Sequence, residues 1–97
     1  MAKIARKFDP ADYLDQEGQR FVLEDAVASG DAAYLAHAIG TVARSKGGLL
    51  ALERLTGIKR QTLAKSFGAD GNPTLGTLLP VLNALGLSLK ITPSEAA

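Results

Sequence analysis

Apolar residues recur at helical spacing in several short runs of this chain. In residues 32–46, Leu35, Ile39 and Val42 fall on one side, with Ala38 beside them. In 49–55, Leu49, Leu52 and Leu55 stand in i, i+3, i+6 register, and in 60–67 Leu63 and Phe67 are one turn apart. Residues 16–29 carry a broader band, Phe21, Val22, Leu23, Ala26 and Val27. That band is wide for so short a helix, so it predicts burial on more than one side or a face left for a partner. After residue 86 the period changes. Leu87, Leu89 and Ile91 alternate with Ser88, Lys90 and Thr92, which predicts a strand over 87–92. One strand is not stable alone. It requires a pairing partner: residues 3–8, where Ile4 and Phe8 could share a side, its own copy in a second subunit, or another protein.

Turn and cap residues divide these runs. Asp9-Pro10 reads as a helix start, with Asp9 as cap, Pro10 at the first helical position and Asp12 at the favourable end of the dipole. Asp15 offers a second cap, so this segment can break near Asp15-Gln16 before running on to Ser29. Gly30-Asp31 ends one helix and caps the next. Ser45-Lys46-Gly47-Gly48 is a break, Gly57 a tight turn, and 68–73 a loop with two glycines and Asn72-Pro73. Thr74 caps a helix over 75–84, which Gly86 ends. Two residues cut against the pattern. Gly40 weakens its helix by about 1 kcal/mol relative to alanine, for which a close helix crossing is a reason. Pro80 lies six residues into the last helix and should kink it or cost about 3 kcal/mol. The expectation is a single all-α domain of five helices with a short C-terminal β-strand. Its parts are an N-terminal arm over 1–8, a helical segment over 9–30, a core over 31–86, the strand over 87–92 and a tail over 93–97.

At 97 residues the chain fits one small domain, and 46% hydrophobic content suits a folded one. With no cysteine there are no disulfides and no thiolate chemistry. The apolar runs are too short to span a bilayer and the N-terminus lacks an apolar signal core, so a soluble, cytoplasmic protein is expected. The net charge of +1 conceals a division. Residues 9–31 hold seven acids (Asp9, Asp12, Asp15, Glu17, Glu24, Asp25, Asp31) against Arg20 alone. Residues 32–67 hold six bases (Arg44, Lys46, Arg54, Lys59, Arg60, Lys65) against Glu53 alone. An acidic first third and a basic centre suggest two surfaces with different partners, or simply two solvated helix faces.

The basic centre coincides with a helix, a glycine turn and a second helix over 49–67. Ile58, just past Gly57, is apolar where a helix-turn-helix clamps its two helices together. With Leu63 and Phe67 inward, Gln61 and Lys65 point furthest from the core, and Lys59 and Arg60 sit at the end that such helices present to base edges. Arginine or lysine can donate to guanine, glutamine can pair with adenine, and any of them can hold a phosphate. The Thr74 hydroxyl and the free N–H groups beside it suit a phosphate if that helix end faces a duplex. His37, about opposite Leu35, reads as solvated rather than as a ligand. One histidine, no cysteine, no phosphate-cradling glycine loop and no metal-ligand cluster argue against an enzyme, a metal site or a cofactor.

The string LxxLTGIKRQTLxK…GNPTLGTLLPVLNALGLSL resembles the Cro/repressor-type (XRE) helix-turn-helix. Together with the preceding KFDPADYLD…GD…YLAHAIGTVARSKG it resembles the addiction-module antidote proteins, HigA-like antitoxins encoded beside a small RelE-type toxin. The likeness covers residues 7–91, and its motifs are specific as a set. It implies a Cro/repressor-like fold, double-stranded operator DNA bound through the second helix of the motif, repression of the chain's own operon, and neutralisation of a toxin from the adjacent gene. By position it assigns Lys59, Arg60, Gln61, Thr62 and Lys65 to the recognition helix, and Asn72 and Thr74 to a phosphate-facing loop. Three residues depart from the pattern: Glu53 where a small alanine is usual, Lys59 where a serine cap is usual, and Pro80 in place of a helix former. A homodimer would supply the strand partner and the two-fold symmetry of paired half-sites. The acidic segment 9–31 is the candidate toxin contact. The competing readings are a stand-alone phage-type repressor, and an interaction module that has kept the fold without the DNA role.

Overall fold

The computed structural model describes residues 15–94. Five helices follow one another: α1 (Gln16–Ser29), α2 (Ala32–Ser45), α3 (Gly48–Thr56), α4 (Arg60–Ser66) and α5 (Leu75–Ala84). The all-α expectation holds for the described residues, with helix bounds within a residue or two of those expected. The expected helix start at Asp9-Pro10 and the strand over 3–8 lie outside them.

The caps explain the boundaries. The Asp15 carboxylate accepts from the Gly18 amide at 2.7 Å, so a helix does begin at Gln16. The Asp31 carboxylate takes both the Ala33 and Tyr34 amides, and α2 starts there. At the other end of the chain, the Leu87 amide reaches the Leu82 carbonyl and the Gly86 amide the Asn83 carbonyl. This paired closure, with Gly86 at φ 78°, ends α5. Pro80 does not end it: α5 runs through the proline to Ala84. Both Pro80 and Gly76, whose carbonyl loses its partner amide, are exposed, so water can replace the missing donor.

Helix α2 is the centre of the molecule. Its residues 38–43 are all buried, with Ile39 and Val42 entirely so. Around them close Leu52 of α3, Leu63 of α4 and Val81 of α5, each at most 2% exposed. Phe67, Leu78, Leu82 and Leu85 complete the core. Gly40 has the role expected of it. A β-carbon there would stand 2.7 Å from the Phe67 carbonyl oxygen, so the residue after α4 packs directly on the α2 backbone. Lys46 ties the far end: its Nζ donates to the Leu85 carbonyl at 2.9 Å, a cation on the last carbonyls of α5.

Two expectations are corrected. Leu55 does not share the buried side of α3; it is 68% exposed while Leu52 is buried. Six residues turn a helix by about 600°, which leaves i+6 well off the face that i and i+3 define. The strand over 87–92 is absent as well. Residues 87–94 carry no regular element, and no strand occurs among the described residues. A ladder needs a second strand to exchange N–H and C=O groups with, and none is present among the described residues. Leu87 packs against the core, while Leu89 and Ile91 stay exposed, Ile91 at 98%.

Candidate nucleic-acid interface

The turn between α3 and α4 is built by Thr56 and Gly57. The Thr56 hydroxyl donates back to the Leu52 carbonyl at 2.7 Å and accepts the Ile58 amide at 3.1 Å. Gly57, at φ 77°, sends its amide to the Glu53 carbonyl at 2.8 Å. Only a residue without a β-carbon adopts that conformation without strain. The chain thus leaves α3, turns within three residues and enters α4 at Arg60, with Ile58 packed on the core.

Helix α4 is short and held by two anchors. Leu63 is fully buried and Phe67 nearly so, one turn apart. That leaves Lys59, Arg60, Gln61, Thr62 and Lys65 exposed together. Gln61, Thr62 and Lys65 lie on the side of α4 away from Leu63 and Phe67, and Lys59 and Arg60 stand exposed at its N-terminal end. Asn72 and Thr74 are exposed too, in the loop that leads to α5. The Thr74 side chain does not cap α5; its hydroxyl lies 3.4 Å from that of Thr77.

Lys59 occupies the cap position of α4 and makes no side-chain capping bond. The cap comes from across the turn. One oxygen of Glu53 accepts the Arg60 amide at 3.3 Å, and the other pairs with Arg60 Nε at 3.0 Å. So two departures from the usual pattern, an acid in the first helix and a lysine at the cap, compensate each other. The acidic group lies against α4's open amides, where the helix dipole favours it. Sequence reasoning marked both positions without linking them. The available signal was that an acid had appeared seven residues before a helix start that had lost its own cap.

The basic centre is less uniform in three dimensions than along the chain. Lys46 is committed to the end of α5 and Arg44 lies beside Thr41. Arg60 is shared with Glu53. Arg54, Lys59 and Lys65 pair with no other described residue, which leaves cationic charge on α3 and α4.

A second region lies elsewhere. Helix α1 packs on α2 through polar clasps. Gln19 Nε2 donates to Ser45 Oγ at 3.0 Å, and the Tyr34 hydroxyl donates to an Asp25 carboxylate oxygen at 2.6 Å. That bond to a carboxylate raises the Tyr34 pKa above the usual tyrosine value. Phe21 and Val27 of α1 stay exposed. Between α1 and residues 86–90 runs an open groove of about 880 Å³, lined in part by Leu23, Val27, Leu35, Leu87 and Leu89. None of its lining residues belongs to α3 or α4, so it is separate from the exposed polar side chains of α4. Its walls are mixed in charge and apolar in bulk. His37 is exposed, and no cluster of metal-ligating side chains occurs among the described residues. No described helix is long and apolar enough to cross a membrane.

A protein of Haemophilus influenzae (strain ATCC 51907 / DSM 11121 / KW20 / Rd), described only as an uncharacterized protein, is 29% identical over the full length of both chains. No solved structure matches significantly. A family model described as "Probable addiction module antidote protein" matches residues 4–93, nearly the whole chain. An antidote implies a toxin that it counters, hence a toxin–antitoxin role and a toxin partner. The chain belongs to the family of probable addiction module antidote proteins.

Proposed function

We propose that this protein is a DNA-binding antitoxin that represses its own operon and neutralises a RelE-type toxin, acting as a homodimer and without catalysis or cofactor. The observation that carries the DNA reading is the set of exposed side chains Lys59, Arg60, Gln61, Thr62 and Lys65 at the start and on the outer side of a helix that Leu63 locks into the core. A short helix-turn-helix docks its second helix in the major groove, where such side chains reach base edges. Asn72 and Thr74, exposed beside α5, are assigned to the phosphate backbone. The unpartnered Leu89 and Ile91 support a second copy of the chain as dimer partner. For the toxin, α1 supplies exposed Phe21 and Val27 on a surface that also carries Glu17, Asp25 and the Arg20–Glu24 pair, a net acidic face that suits a basic partner.

The test is binding of purified protein to the DNA upstream of its own gene. Affinity should fall steeply with added salt as counterions are released. Changing Arg60 and Lys65 together to alanine should weaken binding at least tenfold, given about 1–3 kcal/mol for each good base contact. Unchanged affinity in a gel shift removes the DNA assignment. Co-expression with the product of the neighbouring gene tests the antidote role separately. A stable complex that persists when Arg60 and Lys65 are replaced supports distinct surfaces for DNA and toxin.

A further inference from the structure

The Glu53 carboxylate spans two groups of one residue. It accepts the Arg60 backbone amide and pairs with Arg60 Nε, so the same side chain holds the start of α4 and the base of its first arginine. A guanidinium presents two donor edges. Nε is the guanidinium nitrogen placed 3.0 Å from Glu53, and Arg60 pairs with no described residue other than Glu53. The Arg60 side chain is 60% exposed and Glu53 34%, so the carboxylate sits beneath and the arginine projects outward. An arginine has many rotamers, and ordering it on binding is costly. A carboxylate that holds Nε removes much of that cost, and leaves a planar fork that matches the O6 and N7 acceptors of guanine.

We propose that Glu53 is a positioning residue for sequence reading: it orients Arg60 so that its terminal nitrogens address a guanine edge. The inference rests on the DNA reading given above and deepens it. Glu53 itself stays out of contact with DNA, because a carboxylate facing phosphates would oppose binding. Its negative charge lowers indiscriminate affinity while its geometry raises discrimination. The pair therefore exchanges strength for selectivity, at the position where a helix-turn-helix of this kind usually has a small residue.

The experiment is selection from a randomised duplex library by the full-length protein, followed by sequencing of the bound fraction. The wild type should enrich a site with a strongly preferred guanine, and Arg60→Ala should abolish preference at that base alone. Glu53→Gln keeps an acceptor for the Arg60 amide but loses the charge that holds Nε. It should reduce the guanine preference roughly two- to tenfold, the range set by a half-exposed ion pair and one base contact, while affinity for non-selected DNA stays equal or rises. A merely structural cap would lower affinity evenly for all sequences and leave the preference unchanged. Arg60→Lys keeps the charge but not the fork, and should lose the preference as well, which provides a second readout should Glu53→Gln fold poorly. If the wild type enriches a site and Glu53→Gln or Arg60→Lys keeps the same guanine preference, the positioning role is overturned. If the wild type enriches no sequence at all, the DNA reading itself falls, and this inference with it.

Discussion

The α3–α4 pair and helix α1 solve opposite problems with similar numbers of residues. Helices α3 and α4 are short, nine and seven residues, and α4 is anchored by Leu63 and Phe67 in the common core. The exposed side of α4 is polar and largely basic, while α3 leaves Leu50 and Leu55 exposed beside Arg54. Helix α1 has fourteen residues but fully buries no large apolar side chain: Gln19 and Ala26 are buried, Leu23 is partly buried against the core, and hydrogen bonds at Gln19 and Asp25 join it to α2. Its free side carries Phe21 and Val27 among acids. The difference teaches where rigidity is placed. Helix α4 is fixed by a fully buried leucine and a cap from its neighbour, which suits the reading role proposed for it, since such a helix must hold its side chains to within a fraction of a turn. A helix that keeps apolar side chains in water is left with less of its surface committed to its own domain, and its stability responds more to what binds it.

The largest expected effect is at Leu63. Leu63→Ala removes the anchor of α4 and should lower unfolding free energy by about 2–5 kcal/mol in urea denaturation, a large part of what a domain of this size has. The matching truncation Phe21→Ala on α1 should change it by no more than about 0.5 kcal/mol. Equal losses at the two sites would break the contrast between anchored and uncommitted helices.

Next comes Gly40→Ala. Elsewhere in a helix this change is favourable by about 1 kcal/mol. Here the added carbon meets the Phe67 carbonyl at 2.7 Å, a backbone atom that cannot swing away. Thermal unfolding should show a net loss of about 1–3 kcal/mol from overpacking. A gain in stability would show that α4 is free to move away from α2.

The smallest effect sharpens the α1 side. Tyr34→Phe removes the donor to Asp25 and should speed amide exchange in α1 while leaving α4 unchanged. The same bond predicts a pH dependence. Tyr34 has its pKa raised in the folded protein, so the neutral hydroxyl is favoured by folding. Its contribution is complete below the ordinary tyrosine pKa of about 10 and is lost as pH rises through the higher folded value. Ultraviolet titration of the Tyr13→Phe variant, in which Tyr34 is the remaining tyrosine, reads that value directly. A midpoint at or below the ordinary value would contradict the clasp.

Much of the fold was legible because its signals are local. Asp15, Asp31, Gly30, Gly57 and Gly86 act within a few residues of themselves, and each stands where the chain turns or a helix begins. Leu63 and Phe67 follow from a one-turn spacing, and the outward side of α4 follows from them. The i, i+6 spacing of Leu49 and Leu55 resembles a helical repeat, but a full count of turns carries Leu55 off the buried side. Pro80 predicts a kink or a cost; α5 runs on through it, with Pro80 and Gly76, whose carbonyl lacks its partner amide, both exposed.

Taken alone, the amino-acid order determined the five helices, the caps at Asp15 and Asp31, the division of charge and which side of α4 faces out. These depend on residues within one or two turns of each other. The tertiary structure decided what depends on elements far apart in the chain. It set Gly40 against Phe67, tied Lys46 to α5, and brought Glu53 to the amide and guanidinium of Arg60. It also left 87–92 without a ladder, since an alternating pattern specifies a strand only when a second strand is there to pair with it.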